Sequence, residues 1–428
     1  MNYITKTLLS GMCLLALMPS ARAETLTEAM AFAYGNNPEL LAKRSYLSSV
    51  YEKMPQAKAG FKPTVSMGGS ASSRHTETNS GTDSDTTPYS ASISLSQPIF
   101  NGFSTLHGIK SADYTIKSEQ ANMRSTEQNI LLDAVTAYMN LVRDEAVLKL
   151  RINNEQVLSR KLEATNDRYK VGEITKTDVA QAEARLMQAQ AARILAEGEL
   201  ETSKANYVKV IGHSPANIEE EPKLFADMLP SSLDDAIKMG LENNPSIVSA
   251  KHSLTVAEED IGIAKADLLP TVSLNGSAGR SWNQNSSNDS TDSLQITANL
   301  EIPLYTAGVA SSKVRSAKYI TGQKRNDLTN EIESVREEVT SAYKSLSATR
   351  ASIRATISQV DAAEIALEGV EKEAEVGSRT LLDVLDAEQE LLDAKVSLVE
   401  AKRDETVISA TLLAAVGQFS AADIGLKK

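Results

Sequence analysis

The sequence predicts an α+β fold of two matched halves, in which short amphipathic strands run directly into very long helices. Three observations predict it. Phe61-Lys62-Pro63-Thr64-Val65-Ser66 returns as Leu268-Leu269-Pro270-Thr271-Val272-Ser273, and Asn36-Asn37-Pro38 as Asn243-Asn244-Pro245, both 207 residues later. Tyr89-Ser90-Ala91-Ser92-Ile93-Ser94-Leu95-Ser96 alternates apolar and polar residues with the period of a strand, and residues 294–302 do the same. From Ser104 to about Lys170 there is no proline, and the only glycine, Gly108, lies in the first turn. A repeat of this length is too long for a solenoid unit and marks duplication of a whole assembly. The halves are read as 24–228 and 229–428.

Taken in order, Lys6, the apolar run Leu8 to Met18 and the small-residue site Ala21-Arg22-Ala23 read as a secretory signal peptide over residues 1–23. Thr25 to Gly35 and Pro38 to about Ala59 read as helices, the second opening on a proline whose missing N–H costs nothing there. Strands follow, Thr64 to Ser72 and from Tyr89 in the first half, Thr271 to Ala278 and from Leu294 in the second. The segments Arg74 to Pro88 and Gly279 to Ser293 are rich in Ser, Thr, Asn and Asp and read as exposed loops, with Trp282 as a loop anchor or surface contact. Each half thus holds one hairpin.

Alternation alone fits a soluble sandwich as well as a membrane strand. Strands of this length suit a tilted bilayer crossing, and Tyr89, Phe100, Phe103 and Tyr305 fall at strand ends where an aromatic girdle lies. The mature sequence has no apolar run of helical spanning length, so any crossing is made by strands. Four strands cannot close around a lumen, and an open edge in lipid is forbidden, so closure must come from further copies of the chain.

The helix from Ser104 would be a rod of about 100 Å. Its return partner, Thr175 to about Val210, and the earlier Pro38–Ala59 helix together approach that length, which implies one continuous and one spliced column per half. Ser311 to about Val376 and Thr380 to Val416 repeat the scheme. Val384/Leu385, Leu391/Leu392 and Leu398/Val399 recur every seven residues, a spacing that supercoils helices left-handedly.

Removing Lys6 and Arg22 from the 44 basic residues leaves 42 against 56 acidic ones, a mature net charge of −14 that argues against nucleic-acid binding. The only cysteine, Cys13, lies in the signal peptide. His75, His107, His213 and His252 form no metal-ligand spacing, and no phosphate loop or nucleophile elbow occurs. No cofactor and no enzymatic activity are expected, and any energy coupling must come from a partner.

Several motifs resemble those of the TolC family of outer-membrane efflux ducts. They are Asn36-Asn37-Pro38-Glu39-Leu40 with its duplicate, the corners Gln97-Pro98-Ile99-Phe100-Asn101-Gly102 and Ile302-Pro303-Leu304-Tyr305, Arg168-Tyr169-Lys170-Val171-Gly172, and Val376-Gly377-Ser378-Arg379-Thr380-Leu381-Leu382-Asp383-Val384-Leu385-Asp386-Ala387. The resemblance covers essentially the whole mature chain. It implies a homotrimer whose twelve strands form one barrel among outer-membrane lipid, continued by a twelve-helix periplasmic tunnel that docks on a periplasmic adaptor and an inner-membrane transporter. It further implies Asp383 and Asp386 as an acidic entrance ring, and Thr177, Asp178 and Arg379 as links that hold the entrance shut. Val171, Gly172, Ile174, Val376, Gly377 and Ser378 become adaptor-docking tips, and the aromatic that family members can carry just before the second Val-Gly is replaced here by Ala374 and Glu375.

Physically, Gly172 and Gly377 read as helix C-caps with positive φ, and Val171, Ile174 and Val376 as exposed apolar side chains. Asp383, Asp386, Glu390 and Asp393 share one helix face, which alone is only a solvated acidic face. Three carboxylates within about 6 Å at an effective dielectric of about 20 would repel by about 3 kcal/mol per pair and draw cations in. Three functions are compatible with these features: a gated exit duct of a tripartite efflux pump or type I secretion system, a stand-alone diffusion porin, and a secreted coiled-coil protein.

Overall fold

The computed structural model describes residues 23–77, 83–215, 217–219, 225–284 and 289–425. All but the last residue of the signal peptide read at 1–23 therefore falls outside the described residues, as do parts of both hairpin tips. The first series of elements is α1 (Leu26–Asn36), α2 (Pro38–Tyr51), α3 (Lys53–Ala59), β1 (Thr64–Ala71), β2 (Arg74–Glu77), β3 (Asp83–Thr86), β4 (Tyr89–Asn101), α4 (Ser104–Lys170) and α5 (Lys176–Ile211). The second is α6 (Leu233–Asn243), α7 (Pro245–Ala266), β5 (Thr271–Trp282), β6 (Ser290–Glu301), α8 (Val309–Glu375) and α9 (Leu381–Ala415), with a short 3₁₀ turn at Ala226–Met228 between the series.

The single helix expected from Pro38 to Ala59 is two. It breaks at Glu52 because Pro55, in the first turn of α3, has no N–H to give to the carbonyl four residues back and its ring crowds that carbonyl. Helices α4 and α8 are each 67 residues long, about 100 Å. Each runs beside a spliced column, and one asparagine makes each splice. Asn37 Oδ1 accepts from Glu39 N at 2.9 Å to cap α2, while its Nδ2 reaches Val210 O at the end of α5 at 3.5 Å. Asn244 caps α7 through Ser246 N at 2.9 Å and donates to Ala415 O, the end of α9, at 2.9 Å. The Asn-Asn-Pro motif therefore serves two helix ends at once, satisfying a donor of one and a carbonyl of the other.

The halves interleave rather than sit side by side. Helix α7 packs between α4 and α8, tied to α4 by Ser118 Oγ against Ser249 Oγ at 2.9 Å and to α8 by Thr321 Oγ1 on Ala257 O at 3.0 Å. Farther from the sheet, α5 flanks α4 and α9 lies between α4 and α8. A buried core of Leu26, Met30, Leu131, Val135, Tyr138, Tyr207 and Phe419 locks α1 and the chain's last turns against α4 and α5. A second core of Ile247, Val335, Val339, Leu412 and Val416 joins α7, α8 and α9.

The four-stranded antiparallel sheet has the order β1-β4-β5-β6. Its register puts Val65, Leu95, Gly276 and Ile296 in one row and Met67, Ile93, Ala278 and Leu294 in the next row of the same face. That face is bare: Met67 is 78%, Ile296 74% and Leu294 82% exposed. The opposite face carries the rows Ser66–Ser94–Ser277–Gln295 and Thr64–Ser96–Asn275–Thr297, which line a groove of about 390 Å³. Serine hydroxyls bond across the strands on this face, Ser66 to Ser94 at 3.0 Å and Ser70 to Ser90 at 2.9 Å.

The strands run farther than composition suggests. β5 continues through Trp282 and β6 begins at Ser290, while β2 and β3 form a separate ribbon within the expected loop. Cross-strand pairs hold this polar sequence in the pleat, as Arg280 grips both oxygens of Asp292 through its Nε and Nη2 and Tyr89 stacks on Trp282 at 5.0 Å between ring centres. Trp282 is thus not a loop residue: with Tyr89 it marks one end of the apolar face, and the edge-to-face pair Phe100–Phe103, 5.1 Å apart, marks the other. From Val272 to Trp282, β5 rises about 33 Å, which at a tilt of about 40° spans roughly 25 Å, with the Arg280–Asp292 pair on the same face one row in from Trp282. Among the described residues β1 and β6 each pair on one side only.

Candidate functional site: the helical tip

At the end farthest from the sheet, the α4–α5 and α8–α9 turns are built alike. Each long helix ends in a Schellman closure: Glu173 N donates to Arg168 O at 3.0 Å, and Ser378 N to Glu373 O at 2.9 Å. Gly172 and Gly377 hold φ of 81° and 80°, and a Cβ at either would meet nothing within 4 Å, so glycine is there for its backbone freedom alone. Each return helix then opens with a capping box. Asp178 Oδ2 accepts from Thr175 N at 2.9 Å and Oγ1 at 2.8 Å; Asp383 Oδ2 accepts from Thr380 N at 2.9 Å and Oγ1 at 2.8 Å. In both aspartates these bonds, the backbone one foremost, hold the carboxyl below its usual range, since they favour the charged form.

Val171 and Val376 are 72% and 80% exposed, two bare apolar side chains at the apex, and Ser378 Oγ donates to Glu373 O at 2.8 Å. Ile174 differs from expectation in being only half exposed. It precedes the N-cap Thr175, a position from which an apolar side chain often packs on the fourth residue of the helix, here Val179. Thr177 is exposed on the first turn of α5. Arg379 does not meet Thr177 or Asp178 within one chain; its Nε pairs with Glu373 Oε2 at 2.9 Å, closing a ring within its own turn, while Asp178 is occupied by Thr175.

Two charged residues that sequence reasoning passed over connect the hairpins. Arg185 on α5 places Nη2 2.5 Å from Asp386 Oδ1 on α9. Lys161 on α4 bridges Glu388 of α9 at 2.5 Å and Glu371 of α8 at 3.0 Å. Between them lies a small apolar cluster of Leu158, Leu186, Ala189 and Leu385, flanked by Leu162 and Leu381. The repeat itself held a hint: the position 205 residues after Arg185 is Glu390, a reversal of charge where the halves otherwise correspond. Glu390 and Asp393 lie exposed farther along α9.

The helical heptads pack as read: Val384, Leu385 and Leu392 are buried and Leu391, Leu398 and Val399 half-buried. Among the described residues no helix is long and apolar enough to cross a membrane.

Comparison with known proteins matches this architecture over nearly its full length. The outer membrane efflux protein BepC of Brucella suis biovar 1 is 35% identical over 98% of this chain and 91% of its own. The outer membrane protein TolC of Escherichia coli strain K12 is 25% identical over 97% of this chain and 87% of its own, and the alkaline protease secretion protein AprF of Pseudomonas aeruginosa 26% over 80% and 73%. Among solved structures, the outer membrane protein VceC of Vibrio cholerae superposes with a TM-score of 0.78 at 20% identity over 92% of this chain and 96% of that one. The CmeC outer membrane channel of Campylobacter jejuni does so at 0.80, with 17% identity over 92% and 85%. The family described as outer membrane efflux protein matches twice, over residues 32–213 and again over 236–418, so the chain belongs to the outer membrane efflux protein family.

Proposed function

We infer that the chain is the outer-membrane exit duct of an efflux pump or secretion system, three copies of which close one barrel and one periplasmic tunnel. The observation that carries this reading is a sheet with a bare apolar face, a polar face and, among the described residues, two unpaired edges, whose strands β4 and β6 lead through short corners into helices of about 100 Å. Two copies would give eight strands, an interior that side chains fill; three give twelve and leave a lumen. The helical wall supports the same closure, because Leu41, Tyr46 and Tyr51 on α2 and Tyr319 on α8 are exposed apolar side chains near the sheet.

In this assembly the two tips of each chain face the inner membrane. Val171, Gly172, Ile174, Val376, Gly377 and Ser378 form the surface offered to a periplasmic adaptor, with the valines as the apolar contact. Asp383 and Asp386 ring the entrance. Thr177, Asp178 and Arg379 act between neighbouring chains, where their side chains lie at the rim. The chain carries no energy-coupling motif, so an inner-membrane transporter drives passage.

The test combines subunit counting in detergent with single-channel recording in planar bilayers. Three copies and a small cation-selective conductance, blocked by trivalent cations and changed by Asp383→Asn with Asp386→Asn, are expected. A large conductance indifferent to those substitutions would instead make the protein a diffusion porin, and failure to insert would make it a soluble coiled coil.

A further inference from the structure

Asp383 and Asp386 lie three residues apart on one face of α9, yet their partners differ in kind. Asp383 is held by the backbone and hydroxyl of Thr380 in its own first turn, and its charge stays in place whatever the neighbouring hairpin does. Asp386 is held by a residue of the other hairpin, 201 positions away in sequence: Arg185 Nη2 at 2.5 Å. Arg185 also gives Nη1 to Gln188 Oε1 at 3.4 Å, which fixes the guanidinium along α5. Leu186 and Leu385, next in sequence to Arg185 and Asp386, are buried in the apolar cluster between the helices. The pair lies at the rim of this patch, with the Asp386 side chain 56% and the Arg185 side chain 29% exposed, so it neutralises Asp386 by proximity rather than by exclusion of water.

Of the other charges packed at this level, Lys161 of α4 is shared by Glu388 and Glu371, and Arg379 pairs with Glu373 within its own turn. Asp386 is thus the carboxylate of this face whose neutralisation depends on α5 remaining beside α9.

We propose that Arg185 determines the ion selectivity of the tunnel entrance by cancelling Asp386 while the hairpins touch and releasing it when they part. The proposal rests on the reading of Asp383 and Asp386 as an entrance ring. With α5 against α9, only the Asp383 row contributes net negative charge from these two rows; with the hairpins apart, both do. Ordinarily a pore loses selectivity as it widens. Here each chain adds one uncompensated carboxylate to the entrance as the hairpins separate, so preference for cations is retained or strengthened on opening.

The experiment measures reversal potentials in a potassium chloride gradient and block by a trivalent lanthanide, using the full-length protein in planar bilayers. Arg185→Gln is expected to raise cation-over-anion permeability and tighten lanthanide block by roughly fivefold, because Asp386 is left uncompensated. Asp386→Asn in the same background should erase that gain. Arg185→Lys, which keeps the positive charge, should stay close to the native channel. An Arg185→Gln channel that conducts more yet keeps native selectivity and block would reduce Arg185 to a mechanical tie and overturn the proposal, as would a gain that survives unchanged in the Arg185→Gln/Asp386→Asn double variant. If neither Asp383→Asn nor Asp386→Asn changes selectivity in any background, the entrance reading itself fails, an outcome separate from failure of the Arg185 assignment.

Discussion

Asn244 donates from Nδ2 to the carbonyl of Ala415 over 2.9 Å in a buried setting, while its Oδ1 caps α7. One amide joins the end of α9 to the start of α7. Aspartate is as good an N-cap as asparagine on an isolated helix, but here it would lose the donor and set a carboxylate against a carbonyl. Asn244→Asp is therefore expected to destabilise more than Asn244→Ala, itself costing about 2 kcal/mol for a buried unpaired carbonyl and a lost cap. At Asn37, whose corresponding bond is 3.5 Å long, the Asp substitution should be milder. Thermal unfolding in detergent of the three variants checks the order.

The paired capping boxes make a prediction about acid. Asp178 and Asp383 have folded-state pKa values below the ordinary one of about 3.9, so their contribution is present above that value and lost as pH falls through the folded value. Hydrogen exchange in the first turns of α5 and α9 should be insensitive to pH from 7 down to about 4, once corrected for intrinsic rates, and accelerate below. Thr175→Ala or Thr380→Ala should loosen the corresponding turn already at neutral pH, by about 1 kcal/mol.

Gly377 and Gly417 share a left-handed backbone but not a setting. Their φ values are 80° and 77°; a Cβ at Gly377 meets open space, whereas at Gly417 it would come within 2.5 Å of Asn243 O. Gly377→Ala should cost about 1–2 kcal/mol of local backbone strain. Gly417→Ala should cost clearly more, since two backbones must separate, and should lower the midpoint of global unfolding where Gly377→Ala affects only the tip.

The two sheet faces should respond oppositely to charge. Arginine for Leu294 or Met67, on the bare face, is expected to cost about 2–4 kcal/mol of barrel stability near mid-membrane. Arginine for Ser94, on the polar face, should spare assembly and alter conductance. The folded fraction by electrophoretic mobility shift and the single-channel current separate the two effects.

Much of this was legible in the chain. Gly102 and Gly172, with no proline between them, bracket α4, and the alternation at Tyr89 to Ser96 gives the correct faces because a period of two leaves no other choice. Thr175 and Thr380, each three residues before an aspartate, spelled out the capping boxes, although the family likeness drew attention to the same aspartates as ring and gate residues. Three features were not legible. The break at Glu52 depended on how far a Pro55 first turn can be tolerated; the long β5 depended on Arg280–Asp292 and Tyr89–Trp282 pairs that only the register creates; and α7 between α4 and α8 is a contact across the repeat. The Arg185–Asp386 link was hidden for the same reason, since pairs between hairpins leave no local period in the sequence.

The placement of α7 also decides where this molecule can bend. Next to the sheet, α4 and α8 are soldered together through a helix between them; toward the tip, α5 and α9 share only a narrow apolar cluster and a few charges. The chain is built like a clothes peg, with its spring at the Asn244 joint and long free jaws. Helix α9 reaches about 52 Å beyond that joint from its 35 residues, so a swing of about 10° there would carry Asp383 and Asp386 roughly 9 Å sideways, while the strands need not move at all.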